Sequence, residues 1–225
     1  MSWFEKLHDT FIEGDRYKML LEGLGNTLLI TIGALLIGVL IGGAIAIAKY
    51  YAEGNPKLKV VNFICDLYTT VIRGIPVTVL LLIFFYIILV SAEGVTVAII
   101  AFGINSGAYM AELVRSGINA VDRGQMEAAR SLGMSKWQAM RTIILPQAIK
   151  NILPALCNEF ITIIKETSLA STFFVGELMT VYLFVKGITF SPIPTLMIVG
   201  VIYFVLNFIL SKALKIVERK LKAHA

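Results

Sequence analysis

The chain has few charged residues: Asp, Glu, Lys and Arg make up 16% of its 225 residues, against about 25% in an average soluble domain. Hydrophobic residues make up 57%. A soluble protein of this size would expose much of that apolar surface to water, at a cost of roughly 25 cal/mol per Å². The composition therefore argues against a soluble enzyme, a disordered regulator and a free nucleic-acid-binding protein, and it indicates an integral membrane protein.

Cysteine is also scarce. Cys65 and Cys157 are the two cysteines, and each lies in an apolar segment without metal-ligand spacing around it. The sequence thus predicts neither a disulfide scaffold nor a metal site. Residues 1–23 carry charged side chains throughout and no long apolar run, which is unlike a cleavable signal peptide. We expect this segment to be amphipathic and to lie outside the cell.

Long apolar runs predict an all-α polytopic membrane protein with five transmembrane helices, because about 20 apolar residues are needed to cross the hydrocarbon core. The predicted spans are Thr27–Ala48, Gly74–Val90, Gly94–Val114, Ile149–Ile164 and Ser191–Ser211. They belong to a single transmembrane domain over residues 24–217, followed by a basic tail at 218–225. Residues 167–190 are apolar but interrupted by Gly176 and Glu177, and are predicted to be an outer-face helix or a re-entrant segment.

Basic residues set the predicted orientation. The chain carries a net charge of +5, and Lys and Arg accumulate in cytoplasmic loops of membrane proteins. With the N-terminus outside, most of them fall inside the cell, in the 115–150 loop and after residue 211. A sixth crossing would separate these two basic regions. The sequence therefore predicts a multi-pass membrane protein with a cytoplasmic C-terminus.

Two glycine pairs lie in the first and third predicted spans. Gly38 with Gly42, and Gly103 with Gly107, have the four-residue spacing that lets helix backbones come close together in lipid. Either close helix packing within this chain or a contact between subunits would explain the two glycine pairs.

The longest hydrophilic stretch contains two helix-start signals. Asp122 with Gln125, and Ser135 with Gln138, each resemble a capping box. Between them Gly133 fits the left-handed position that ends a helix. The segment 122–146 therefore predicts a short helix, a turn and a second helix on the cytoplasmic face. An amphipathic loop lying on lipid headgroups is the alternative, with these side chains inserted into the lipid: Met126, Leu132, Met134 and Trp137.

The same loop carries a spaced motif. Glu127-Ala128-Ala129 is followed after three residues by Gly133, and after nine more by Ile143, one residue, and Leu145-Pro146. This pattern resembles the EAA loop of ABC importer permeases. Further segments are similar to the polar amino-acid branch of that family, the histidine- and glutamine-type permeases: Arg73-Gly74-Ile75-Pro76, residues 105–112, and residues 165–169. The resemblance extends over roughly residues 20–215.

The resemblance implies a type I ABC importer permease fold in a prokaryotic inner membrane, with a coupling helix that docks on a cytoplasmic ATPase. Glu127, Ala128, Ala129 and Gly133 would form the docking surface. Partners would be a second permease copy or a homologue, two ATPase subunits and an extracytoplasmic solute-binding protein. The chain contains no G-x4-G-K-[ST] pattern, so it is not expected to be the ATPase or an enzyme. ATP and magnesium would bind the partner, and no cofactor is expected in this chain.

Polar side chains inside predicted spans suggest a solute site, because ionisable groups are costly at membrane depth. Helical spacing puts Glu112 on one face with Asn105 and Tyr109, and groups Glu159 and Asn158 with Thr162 on another helix. Leu80 and Phe84 would supply apolar walls. Glu112 has a structural alternative, an ion pair with Arg115. Glu159 has one too, an ion pair with Arg73 or Lys165.

An ionised Glu159 would favour a cationic solute. Together with the family resemblance, this predicts import of a polar and basic amino acid such as arginine, lysine or histidine by alternating access. A secondary, proton-coupled transporter or channel that uses Glu112 and Glu159 as relay groups is an alternative function, and a non-transporting membrane scaffold is another.

Overall fold

The computed structural model describes residues 3–52 and 55–223. These residues contain ten α-helices and no β-strand, which confirms the all-α prediction. The helices are α1 (Trp3–Phe11), α2 (Tyr17–Ala52), α3 (Lys59–Gly74), α4 (Val77–Ile83), α5 (Gly94–Asn119), α6 (Arg123–Ser131), α7 (Lys136–Ala139), α8 (Leu145–Glu166), α9 (Leu178–Thr189) and α10 (Pro192–Ala223).

Shorter helical turns join several of these helices. The 3₁₀ turns are Glu13–Asp15, Pro56–Leu58 and Thr167–Phe173. The π-helical turns are Phe84–Ile88 and Met140–Ile144. Cys65 and Cys157 form no disulfide bond.

Three predicted spans are long apolar helices in the structure. The segments Glu13–Ala52, Gly94–Asn119 and Pro192–Ile216 are each long and apolar enough to cross a membrane. Helix α2 begins at Tyr17, so the predicted boundary between residues 23 and 24 falls inside a continuous helix. The predicted boundary between residues 217 and 218 likewise falls inside α10, and residues 224–225 of the predicted tail lie outside the described residues.

The other two predicted spans belong to bent helix pairs. Segment Pro56–Gly74 meets Val77–Ile88 at 105°, and Lys136–Phe173 meets Leu178–Thr189 at 45°. The described residues reach five spans when each bent pair counts as one. The first bend has a local cause: Ile75 is extended (φ −94°, ψ 130°), the conformation that a residue before proline favours, and Pro76 opens α4. The helix after Pro76 is about 18 Å long at 1.5 Å per residue, less than the roughly 30 Å of the hydrocarbon core.

The chain divides into two compact units. The first consists of the described residues within Met1–Leu36, Pro76–Gly103 and Phe160–Ser211. Its core contains Phe11, Leu20, Leu178, Val181, Val185 and Val199. Residues 167–190, predicted to be an outer-face or re-entrant segment, form a 3₁₀ turn followed by α9. The Asn26 side chain donates to the Gly176 carbonyl over 2.9 Å, and the backbone N–H of Leu178 donates to the Thr27 hydroxyl over 3.2 Å. These two bonds attach the start of α9 to α2.

The second unit consists of the described residues within Ile37–Ile75, Ile104–Glu159 and Lys212–Ala225. Here α2 and α5 cross at glycines. A Cβ atom on Gly38 would lie 2.7 Å from the Ser106 hydroxyl oxygen, and one on Gly42 would lie 2.7 Å from the Ala111 backbone nitrogen. A Cβ on Gly107 would lie 2.8 Å from Ile41. Packing within the chain therefore accounts for Gly38, Gly42 and Gly107, as the first of the two explanations predicted.

Candidate functional site

The hydrophilic loop of the second unit is a pair of short capped helices. Asp122 is the N-cap of α6, and its carboxylate accepts from the Gly124 N–H over 2.7 Å. The predicted start is confirmed, but the predicted bond to Gln125 is wrong. The carboxylate bonds the second N–H of the helix rather than the third, and both are donors that an N-cap side chain can reach.

Gly133 ends α6 as predicted, with φ +85°. The Met134 N–H donates to the Ala129 carbonyl and the Gly133 N–H donates to the Arg130 carbonyl, each over 3.1 Å. This pair of bonds is a Schellman motif, in which a left-handed residue lets the chain satisfy the last carbonyls of the helix. Arg130 adds a bond from its guanidinium to the Met134 carbonyl, over 2.7 Å. The turn between the helices is therefore fixed by hydrogen bonds at both sides of Gly133.

The capping box that opens α7 is confirmed. The Gln138 N–H donates to the Ser135 hydroxyl over 3.2 Å, and the Ser135 N–H donates to the Gln138 side-chain oxygen over 2.8 Å. Helix α7 then continues through a π-helical turn into α8. The loop is thus joined through continuous helical structure to the helix that carries Glu159.

The exposed surface of this loop differs from the predicted set in one residue. Glu127, Ala128 and Gly133 are exposed, as a docking surface requires. Ala129 is 1% exposed and packs inward. Leu132, in contrast, is 83% exposed, so it belongs to the outward surface of the loop. Sequence analysis considered Leu132 only as a lipid contact.

Glu159 accepts one hydrogen bond in the second unit. The Ser106 hydroxyl of α5 donates to its Oε1 over 3.1 Å, and the side chain is half-buried. Glu159 forms no ion pair with the described residues. Arg73 lies instead over the ring of Tyr109, 5.3 Å from its centroid. The predicted alternative of an ion pair between Glu159 and Arg73 or Lys165 is therefore wrong.

Glu112 occupies a different environment, because it belongs to a network of ion pairs. Its Oε2 lies 2.7 Å from an Arg115 Nη, and its Oε1 lies 3.8 Å from Lys49 Nζ. Lys49 also pairs with Asp66 at 2.6 Å. The alternative of an ion pair with Arg115 is confirmed. Lys49 and Asp66 were missed because they are distant from Glu112 in sequence, although Asp66 was a visible charge within an apolar stretch.

The remaining candidate residues lie in varied surroundings. Asn105 is 6% exposed and Tyr109 is 39% exposed. Asn158 is exposed and Thr162 is half-buried on α8. Leu80 and Phe84, the predicted apolar walls, are 4% and 7% exposed in the first unit. The structure therefore brings Glu159 together with Ser106, a residue that sequence analysis did not single out, while Glu112 belongs to the ion-pair network.

Comparison with known proteins gives consistent matches over most of the chain. Residues 34–223 match the family model described as a binding-protein-dependent transport system inner membrane component. A Bacillus subtilis protein named arginine transport system permease protein ArtQ is 37% identical over 91% of this chain and 93% of its own length. A Rickettsia bellii protein named putative glutamine transport system permease protein GlnP is 36% identical over 90% of this chain and 92% of its own.

Solved structures agree with these matches. A chain of a crystal structure described as an amino acid ABC transporter with histidines has a TM-score of 0.85 and 39% sequence identity, and the match covers 93% of this chain and 98% of that one. A chain of the MetNI methionine ABC transporter in an inward-facing conformation has a TM-score of 0.77 at 20% identity, over 91% of this chain and 97% of its own. The second match is evidence for the fold alone.

Proposed function

Because the chain belongs to the family of binding-protein-dependent transport system inner membrane components, we propose that it forms half of the membrane pathway of an ATP-driven importer of a basic amino acid. It is an integral inner-membrane protein of the amino-acid ABC importer permease class. The finer features of the proposal are the docking loop (residues 122–146), the solute and the assembly.

The observation that carries the docking proposal is the double-capped loop. Helices α6 and α7 are closed by hydrogen bonds at both sides of Gly133, and the loop presents Glu127, Ala128 and Leu132 outward. A rigid projection of this kind transmits a rigid-body displacement instead of absorbing it. Glu127 would form a charge-assisted hydrogen bond with the ATPase. Gly133 would keep the reversal tight, and Ala129 would support the surface from inside.

The solute proposal rests on Glu159. Its carboxylate accepts a single hydrogen bond from Ser106, which leaves acceptor positions for an ammonium or guanidinium group. The relatives named above include an arginine permease and a putative glutamine permease. These names are consistent with a basic or an amide-bearing amino acid as the solute. We propose arginine, lysine or histidine, with Glu159 as the anionic contact. Asn158 and Thr162 of the same helix, and Asn105 and Tyr109 of α5, would contact its polar groups.

The assembly follows from the half-pathway role. Two copies of this chain, or one copy with a homologue, would pair in the membrane. Two ATPase subunits would bind ATP and magnesium and dock on the loop, and a solute-binding protein would deliver cargo from outside. The N-terminus would lie outside and the C-terminus in the cytoplasm. Nucleotide-driven closure of the ATPases would alternate access to the pathway.

A relay function for Glu112 in a proton-coupled transporter is not favoured, because Arg115 and Lys49 already neutralise its carboxylate.

Reconstituted uptake tests this function. The chain, its ATPase and its binding protein would be assembled in proteoliposomes with ATP inside, and a panel of basic, amide and neutral amino acids would be offered. We expect ATP-dependent uptake of a basic amino acid. Uptake that proceeds without the ATPase and follows a proton gradient would overturn the proposal.

Docking has its own test. Glu127→Lys should reduce co-purification of the ATPase by at least about tenfold, because like charges across an interface cost several kcal/mol. Glu93→Lys changes another exposed glutamate, outside the loop, and should leave co-purification unchanged. Equal retention of the ATPase by both variants would contradict the docking surface.

A further inference from the structure

An apolar groove opens on the surface of the second unit, beside the docking loop. Its volume is about 340 Å³, and it is lined by apolar and aromatic side chains from α2, from α5 and from the α7–α8 segment. The side chains that matter here are Ile47, Tyr51, Trp137, Leu145, Ile149 and Leu153. Ile47 is 60% exposed and Ile149 is 51% exposed. A cleft so apolar fits a hydrocarbon chain and offers no partner to a polar solute.

Aromatic rings form one end of this groove. Tyr50 and Tyr51 meet edge to face with centroids 5.7 Å apart, and the rings of Tyr51 and Trp137 lie 6.4 Å apart. Tyr51 is 47% exposed and Trp137 is 54% exposed. Tyrosine and tryptophan concentrate at the level of lipid headgroups. We infer that the aromatic end of the groove lies at the membrane surface, with the aliphatic end deeper in the bilayer.

A polar cavity adjoins the aromatic end. Its volume is about 320 Å³, and it shares Tyr50, Ile118 and Met140 with the groove. Its charged side chains are Lys136, Arg123 and Asp122. The Lys136 ammonium lies 4.6 Å from the centroid of the Tyr50 ring. The Asp122 carboxylate already accepts the Gly124 N–H as a helix cap, so the two cations outnumber the one anion in this cavity.

We propose that the groove and the cavity together bind one anionic phospholipid. An acyl chain would occupy the groove, and the phosphate would lie beyond the aromatic rings, against Lys136 and Arg123. Basic pockets beside membrane helices on the cytoplasmic side bind anionic headgroups in this way. The bound lipid would contact α2 and α7 at once and would steady the docking loop against the membrane. The proposal rests on the membrane location of the family and does not require that the chain transport any particular solute.

Trp137 offers a direct probe of occupancy. The chain has two tryptophans, Trp3 and Trp137, so Trp3→Phe leaves one fluorophore at the groove. The variant would be placed in nanodiscs that contain a minor fraction of either phosphatidylglycerol or phosphatidylcholine with brominated acyl chains, in an otherwise identical lipid background. Bromine quenches tryptophan at short range. Quenching at equal mole fraction should be stronger with brominated phosphatidylglycerol than with brominated phosphatidylcholine.

Two variants separate a binding site from ordinary contact with bulk lipid. Lys136→Gln in the Trp3→Phe background should lower the preference for phosphatidylglycerol about fivefold, the effect of about 1 kcal/mol for one cation near the headgroups. Lys57→Gln removes an exposed lysine that does not line the cavity and should preserve the preference. Gly43→Leu, at a lining position where a Cβ meets nothing within 4 Å, should fill the groove and weaken quenching by both lipids.

A reporter elsewhere on the lipid-facing surface completes the test. Phe204 is 70% exposed on α10, and Phe204→Trp combined with Trp3→Phe and Trp137→Phe moves the fluorophore there. Quenching at this position should be equally strong with the two brominated lipids. If quenching favours phosphatidylglycerol equally at both positions, Trp137 contacts only bulk lipid, and the proposal would be overturned. Trp137 quenched by neither lipid would mean that protein, such as a second copy of this chain, covers the groove, which would also overturn it.

Discussion

Two carboxylates in apolar segments of this chain have opposite surroundings. Glu177, at the start of α9, is 0% exposed and accepts hydrogen bonds from the Met179 and Thr180 N–H groups, the Thr180 hydroxyl and the Tyr203 hydroxyl. Glu159, on α8, is half-buried and accepts one bond, from Ser106. Both were visible in the sequence as acids in apolar segments, and only Glu159 was proposed as a site.

The difference indicates which acid is structural. A buried polar group whose acceptor positions are all used contributes to the fold, and removal of its partners leaves costly unpaired groups behind. A carboxylate with positions to spare, in a pathway protein, is available to a solute. Glu177 therefore caps and anchors α9, whereas Glu159 keeps acceptor positions that the proposed contact with a cationic solute would use.

The largest effect is expected from removing the structural acid. Glu177→Ala would leave up to four buried donors without an acceptor, at about 1–3 kcal/mol each. The loss should exceed about 3 kcal/mol and should appear as a collapse of folded yield and thermal stability in detergent. Glu93→Ala, at an exposed acid, is the control. A Glu177→Ala variant as stable as this control would erase the distinction between the two acids.

The same contrast explains what sequence analysis could predict. The caps of α6 and α7 were predictable because Asp122, Gly133 and Ser135 act on neighbours within a few residues. The bend of 105° before Pro76 was not predicted, although a proline is a local signal for such a break. The bonds that hold α9 join residues up to 151 positions apart, and no local pattern encodes such pairs. For the same reason Ser106 was missed as the partner of Glu159.

The second-largest effect is expected where α2 crosses α5, because this crossing positions Ser106, the hydrogen-bond partner of Glu159. A Cβ on Gly38 would lie 2.7 Å from the Ser106 hydroxyl oxygen and 3.3 Å from the Ser106 carbonyl carbon. Gly38→Ala should therefore displace Ser106 and cost about 1–3 kcal/mol through overpacking, with a loss of uptake. Gly25→Ala, on the same helix with nothing within 4 Å, should be tolerated. Thermal unfolding and uptake, measured on both variants, check this; equal behaviour would show that the crossing does not support the site.

The smallest effects come from single donors to each acid. Tyr203→Phe removes one of the bonds to Glu177 and should cost about 1 kcal/mol of stability while uptake per folded molecule stays normal. Ser106→Ala removes the hydrogen bond from the Ser106 hydroxyl to Glu159. This variant should instead change the concentration dependence of uptake, with little change in thermal stability. Swapped outcomes, with Ser106→Ala altering stability and Tyr203→Phe altering uptake, would reverse the roles assigned to the two acids.

The most direct measurement compares uptake of a basic and a neutral amino acid by Glu159→Gln in proteoliposomes, with amounts corrected for folded protein. Glutamine keeps the size of the side chain and an acceptor for Ser106 but removes the negative charge. The account predicts that uptake of the basic amino acid falls at least about tenfold, as for a lost charge-assisted hydrogen bond of roughly 1.5–3 kcal/mol, while uptake of the neutral one changes little. An equal loss for both solutes, or no loss for either, would contradict the assignment of Glu159 to the solute pathway.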